Sequence, residues 1–337
     1  MPDPIALALV GCGAISEWHR RALAKLPDFS VRAAVDPLRE RAEAVAKESG
    51  ATAFASLEDA LAAGGFEAVA LLVPHRLHEP LALRALGAGL HVMLEKPMAP
   101  SVAACERILG AAASGPAGRV FMVAENAQYW PEVRIVRELL AGGAIGEVVT
   151  AEARLFFPPI PAYYGGEDAW RLDREATGGG VAVDAGSHYL RPLRIWLGEV
   201  EEVVAAMERP FAKMEGESLA RALLRFRSGT VATLDLLIQG GPFAPQDLFR
   251  VTGTKGEITV SAGVKLYDAA NPRGAVVRPE QPQGYMLSYD GQLRDFARAI
   301  REGAPLEAGP EAALGELRTA LAMERSAQTK RWEKVFA

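Results

Sequence analysis

Cysteine is almost absent from this chain, at two in 337 residues. One, Cys12, lies in a glycine-rich turn and the other, Cys105, in a segment of helical periodicity, a placement that suits no disulfide framework. This excludes disulfide-stapled secreted scaffolds and fits a reducing compartment. Long hydrophobic runs are missing too: no stretch approaches the roughly 18 uninterrupted apolar residues of a spanning helix. The start of the chain has no charged segment leading into an apolar run of the secretory kind. The reading is a cytoplasmic protein. Basic clusters are also lacking, since the net charge of −5 is mild and its charges are dispersed. No stripe suits a nucleic-acid groove or an anionic membrane, so small molecules remain as partners. There is no internal repeat and no low-complexity tract beyond a bias to alanine.

What is present is enough apolar material, half of all residues, to bury the cores of about two domains. Short apolar segments at 5–10, 31–35, 51–55, 68–73, 91–94 and 119–124 alternate with helix-like segments at 14–26, 38–48, 57–63, 80–88 and 102–113. Continuous apolar strands separated by amphipathic helices predict an α/β domain, a doubly wound parallel sheet covered on both faces. Its ligands belong beyond the C-terminal strand ends. After Asn126 the period changes. Residues 148–157 alternate as a half-buried strand does, and further strands are expected at 200–207, 218–226, 230–238, 248–252, 257–260 and 264–267. Hairpin turns at 227–229 and 253–256, with helices at 132–140, 181–196, 289–301 and 311–331, complete an α+β domain with a large, mostly antiparallel open sheet. The expected division is 1–125 for the first domain and 126–337 for the second.

The segment Gly11-Cys12-Gly13-Ala14-Ile15-Ser16 stands where the first strand runs into the first helix. In that context the first glycine permits a tight turn, and the second lets backbone N–H groups approach a pyrophosphate at the helix N-terminus. Ser16 takes the place of a third glycine, a position that serves helix–strand packing. Twenty residues on, the second strand ends in Asp36, a carboxylate suited to the adenosine ribose hydroxyls. An acid there favours NAD, with NADP as the alternative through Arg39 or Arg41.

Two clusters carry further chemistry. Lys96, in Glu95-Lys96-Pro97, follows the strand at 91–94, at the cofactor edge of the sheet, where it is either a catalytic cation or a solvated surface lysine. Pro97 holds the preceding chain extended and is a candidate for a cis peptide. The other cluster is Gly178-Gly179-Gly180 followed by Asp184-Ala185-Gly186-Ser187-His188. On a helix Asp184 and His188 share a face, a pairing that tunes a proton shuttle; the alternative is a surface pair or a buried, satisfied histidine. No cysteine or second close histidine stands with them, so no metal is expected. His19 and His91 read as structural. Pro74, His75 and His78 follow the fourth parallel strand, where nicotinamide contact competes with helix capping. Residues 158–168, with Tyr163 and Tyr164, form an irregular stretch long enough for a lid and suited to the apolar face of a sugar ring; Trp170-Arg171 ends it.

Gly11-Cys12-Gly13-Ala14-Ile15, Val35-Asp36-Pro37, the 88–97 segment ending in Glu95-Lys96-Pro97, and the 178–188 segment, in this order, resemble the Gfo/Idh/MocA family of glucose-fructose oxidoreductase-like and inositol dehydrogenase-like enzymes. The likeness spans nearly the whole chain. It implies an N-terminal Rossmann domain for NAD(P) and a C-terminal domain that supplies the substrate pocket and often the oligomer interface, hence a homodimer or homotetramer. It implies hydride exchange between nicotinamide and a secondary alcohol or ketone of a sugar, cyclitol or related polyol. Lys96 then bonds the reacting oxygen, His188 is the acid/base and Asp184 orients it, with Tyr163 added on the substrate side. Cofactor contacts fall on Gly11, Gly13, Ala14, Ile15, Asp36, Pro74, His75, His78, Glu95, Lys96, Trp170 and Arg171. Two departures stand out: His75 where the family often has asparagine, and Arg191 where it often has aspartate. Redox-neutral glycoside processing or epimerisation, and a non-catalytic NAD(P)-sensing regulator, are the alternative functions.

Overall fold

The structure, a computed structural model, describes residues 3–165, 169–261, 263–278 and 284–336. By contacts the chain divides into two units, residues 1–124 with 289–314 and residues 125–288 with 315–337.

The first unit holds β1 (Ile5–Val10), β2 (Phe29–Val35), β3 (Thr52–Phe54), β4 (Ala68–Leu71), β5 (His91–Glu95) and β6 (Phe121–Ala124) in one sheet, ordered β3-β2-β1-β4-β5-β6. All its pairings are parallel. The central strands β4 and β5 are buried at every residue, as expected of a sheet covered on both faces. The crossovers are α1 (Ala14–Leu23), α2 (Arg39–Ser49), α3 (Leu57–Ala63), α4 (His78–Gly87) and α5 (Val102–Ser114). Ser56 and Ser101 cap α3 and α5 by accepting from the amides of Asp59 and Ala104. The strand order reverses beside β1, between β1 and β4, and that crevice is the switch point at which such sheets bind ligands. The 289–314 segment, expected from sequence to belong to the C-terminal domain, adds Phe296, stacked on Phe29 at 6.4 Å, and Tyr289, edge-on to His19 at 5.0 Å.

The second unit is built on β7 (Val148–Phe157), β8 (Val200–Glu208), β9 (Leu219–Phe226), β10 (Val231–Ile238), β11 (Phe249–Gly253), β12 (Gly256–Val260), β13 (Val264–Asp268), β14 (Ala275–Arg278) and β15 (Glu333–Lys334). These form one nine-stranded sheet, ordered β14-β13-β12-β11-β7-β10-β9-β8-β15. Among the described residues only β7 with β10 pairs parallel, and the other pairs of this sheet are antiparallel. In β9 and β10 every second side chain is buried, which pins the register through a single core-facing row. The helices of this unit are α6 (Pro131–Ala141), α7 (Pro161–Tyr164), α8 (Arg174–Thr177), α9 (Ser187–Leu197) and most of α11 (Ala312–Thr329), whereas α10 (Gly284–Glu302) belongs from Tyr289 onward to the first unit. Residues 166–168 of the expected lid stretch lie outside the described residues.

The helix expected over 181–196 begins only at Ser187. Before it, residues 180–186 form irregular turns in which Asp184 N donates to Gly180 O and Gly186 N to Val181 O. Gly180 is pressed so close to residue 217 that a Cβ there would meet the Glu217 carbonyl oxygen at 2.1 Å. Gly180 therefore serves close packing of two backbones, while Gly178 ends α8 in the left-handed conformation. No helix among the described residues is long and apolar enough to cross a membrane.

Candidate active site

At the end of β1, Gly11 has φ +93°, and a Cβ on it would lie 2.3 Å from the Leu72 carbonyl oxygen, so only glycine fits. Asp36, at the end of β2 and 6 % exposed, closes the turn: its Oδ2 accepts from Cys12 N at 2.8 Å and its Oδ1 from Leu38 N at 2.9 Å. A carboxylate has about four acceptor positions, so acceptor capacity for ribose hydroxyls remains. Gly13 caps α1 without a side-chain bond, and the space where its Cβ would project is open to 4 Å. The first-turn amides of α1, which begins at Ala14 and Ile15, are the donor set a pyrophosphate needs. Ser16 is buried and donates to Gly13 O at 2.6 Å, a packing role. Arg39 is held by Glu43 on its own helix at 2.7 Å. Burial and the neighbouring Asp36 charge push the Cys12 thiol up to about 12.

At the end of β5, Lys96 is 9 % exposed and the Lys96–Pro97 peptide is cis. The Glu95 carboxylate turns inward, with Oε1 2.8 Å from Nε2 of the fully buried His19 and Oε2 accepting from Lys96 N at 3.0 Å. His78, also fully buried, sets its ring nitrogens 2.8 Å from Pro97 O and 2.9 Å from Val73 O. It thus braces the segment after Lys96 against the segment after β4, and burial pushes its pKa below the usual imidazole value. Pro74 opens the 3-10 turn His75–Leu77, and His75 is buried with its ring 5.4 Å from that of His78.

In the second unit His188 lies in the first turn of α9, its side chain 16 % exposed. Its Nδ1 is 2.5 Å from Oε1 of Glu125, a buried carboxylate in the residue that follows β6. Asp184, expected to share a helix face with His188, instead lies in the turn before α9, and its Oδ2 accepts from Arg171 Nε at 3.0 Å. The reason is the late helix start: without helical backbone at 184, the i,i+4 geometry does not form. Arg171 lies against the rings of Trp170 at 4.4 Å and Tyr163 at 4.8 Å, so one face of Tyr163 is occupied. Burial opposes the charge on Arg171, yet Asp184 and the neighbouring tyrosines outweigh it and raise its pKa. Burial and Asp184 raise Tyr164 as well. Arg191 forms a buried pair with Glu316 at 2.9 Å.

Glu125 was not singled out from sequence, although it follows its parallel strand just as Lys96 follows β5. Among the described residues no group of three or more His, Cys, Asp or Glu is arranged to hold a metal ion.

A parallel sheet with a glycine turn after its first strand and an acid after its second, joined to a mixed-sheet domain carrying a histidine–carboxylate pair, defines an NAD-dependent oxidoreductase. The chain belongs to the Gfo/Idh/MocA oxidoreductase family: residues 5–124 match its NAD-binding Rossmann fold and residues 137–335 its C-terminal alpha/beta domain. Inositol 2-dehydrogenase of Leifsonia xyli is 28 % identical over 334 residues, covering 96 % of this chain and 92 % of that protein. A 1,5-anhydro-D-fructose reductase of Ensifer adhaerens is 28 % identical over 332 residues, 95 % of this chain and 96 % of its own. Among solved structures, GenD2 from gentamicin A biosynthesis in complex with NAD superimposes with a TM-score of 0.86 at 26 % identity, covering 100 % of this chain and 98 % of that one.

Proposed function

We propose that the protein oxidises a secondary alcohol of a sugar or cyclitol, or reduces the corresponding ketone, with Lys96, His188 and Asp184 as its working residues. The observation that carries this reading is the His188–Glu125 pair, a half-buried imidazole hydrogen-bonded to a buried carboxylate, in a chain whose other unit is an NAD-binding domain. Relatives named for an inositol and for an anhydro-sugar ketone support the substrate class. NAD is held through Gly11, Gly13, Ala14, Ile15 and Asp36, with Pro74, His75, Glu95, Trp170 and Arg171 as further contacts. When bound, the nicotinamide supplies the hydride acceptor or donor. His188 takes the hydroxyl proton in oxidation and returns it in reduction. The Lys96 ammonium bonds the same oxygen and stabilises its developing negative charge, the kind of interaction that contributes most to many enzyme rates. Asp184 holds the Arg171 turn, and through it the Tyr163 and Trp170 rings, at the substrate side.

NAD is the preferred cofactor, because Asp36 would repel a 2′-phosphate and Arg39 is engaged by Glu43. The protein works as a homodimer or homotetramer, with the outward rows of β9 and β10, such as Leu223, Val231 and Leu237, against a second copy. Two buried free cysteines fit a cytoplasmic setting. Screening cyclitols, aldoses and glycosides by NADH absorbance tests the reading: turnover on at least one polyol, faster with NAD than with NADP, is the expected result. Bound cofactor with no net turnover on any of them would contradict it.

A further inference from the structure

We infer that Glu125 is the positioning residue of His188, holding the imidazole with its proton on Nδ1 so that the Nε2 lone pair faces the substrate hydroxyl. This rests on His188 acting as the base. The contact is 2.5 Å between Nδ1 and Oε1, and Glu125 is 3 % exposed. Oε1 already accepts from a backbone amide, the role of a carboxylate, and with Glu125 ionised the shared proton belongs to the imidazole, so Nε2 is left as the ring atom able to take another.

The carboxylate is itself fixed, since the same Oε1 accepts from Ala127 N at 3.0 Å. The imidazole is walled by Trp130, with ring centroids 6.1 Å apart and planes 33° from each other. Trp130 in turn meets Tyr189 edge-on at 6.1 Å and Phe249 at 6.5 Å, so a ring flip of His188 would have to displace packed aromatics. Asp184, the carboxylate nearest in sequence, is bonded to Arg171. The orienting task therefore falls to a carboxylate 63 residues away in the chain. When Nε2 takes the alcohol proton, the imidazolium keeps its Nδ1–H contact with the Glu125 carboxylate.

The test uses the full-length protein labelled with 15N-histidine, with the His188 signals assigned by their loss in His188→Ala. At a pH where the ring is neutral, Nδ1 is expected to resonate as a protonated nitrogen and Nε2 as a lone-pair nitrogen. Glu125→Gln, which can donate to Nδ1, is expected to shift the proton toward Nε2 and to lower kcat by about 100- to 10,000-fold while NADH affinity stays unchanged. Glu125→Asp should restore part of the rate. A wild-type His188 with its lone pair on Nδ1 overturns the proposal without any variant, as does a Glu125→Gln protein with wild-type tautomer and kcat. If the tautomer depends on Glu125 but His188→Ala keeps full turnover, the base reading is what fails, and the catalytic role of Glu125 falls with it.

Discussion

Two alanine substitutions, two residues apart, should separate what the glycine turn owes to its own backbone from what it owes to a cofactor. At Gly11 the cost is internal. An L residue at φ +93° loses roughly 1–2 kcal/mol to left-handed strain. Its Cβ would also lie 2.3 Å and 2.7 Å from the carbonyl oxygen and carbon of Leu72, both backbone atoms that no rotamer change can move. Forced displacement of this kind adds roughly 1–3 kcal/mol, so Gly11→Ala should destabilise the cofactor-free protein by about 2–5 kcal/mol. At Gly13 the same methyl meets nothing within 4 Å, and φ is −79°, so the cofactor-free protein should be unaffected or slightly stabilised. The methyl would, however, occupy the space a pyrophosphate enters. An overpacking cost of about 1–3 kcal/mol there corresponds to roughly 5- to 150-fold weaker binding. Urea unfolding of the cofactor-free variants and fluorescence titration with NADH give the two numbers. Gly13→Ala with wild-type NADH affinity, or with a stability loss equal to that of Gly11→Ala, would refute the reasoning.

Glu316 accepts from both Arg191 and Arg194, and all three side chains are 7 % exposed or less. Glu316→Gln strands the Arg191 charge and should cost about 3–5 kcal/mol in urea unfolding; Arg191→Met should cost less because Glu316 keeps Arg194, and equal losses would contradict this. Burial pushes both the Cys12 and Cys105 thiols up to about 12, so iodoacetamide should leave the folded protein unlabelled at neutral pH and modify it after unfolding. Label found on the native protein by mass spectrometry would contradict that. Burial lowers His78 and His91 below 6.5, with Arg119 adding to the effect at His91. The unfolded chain therefore takes up these protons first; their stabilisation is complete above about 6.5 and is lost as pH falls below it, so Tm should drop on mild acidification rather than rise.

The parallel half of the fold was legible because each of its strands is a short apolar run and each crossover an amphipathic helix, with β4 and β5 buried throughout. The edge strands β14 and β15 were not, since β14 lacks an alternating burial pattern and β15 has two residues. Nor does amphipathicity tell which core a helix joins, and the 289–314 segment joined the first unit. Within the site, Gly11, Asp36, Lys96 and His188 could be singled out by their places at strand ends or in a motif. The histidine's partner could not be found by spacing. The i,i+4 spacing points to a partner within one element, whereas the contact is tertiary, between the first turn of α9 and the residue after β6.

Whether this chain performs alcohol–ketone chemistry at Lys96 and His188 is decided most directly by turnover of the two single variants, Lys96→Met and His188→Ala, on a substrate the wild type oxidises, with NADH affinity measured alongside. The proposed holders of the phosphates and ribose are the glycine turn and Asp36, so both variants should bind NADH as the wild type does. Each should lose about 100- to 10,000-fold in kcat. A His188→Ala enzyme retaining more than about a tenth of the wild-type rate, with cofactor affinity intact, would contradict the assignment of that imidazole as the acid/base.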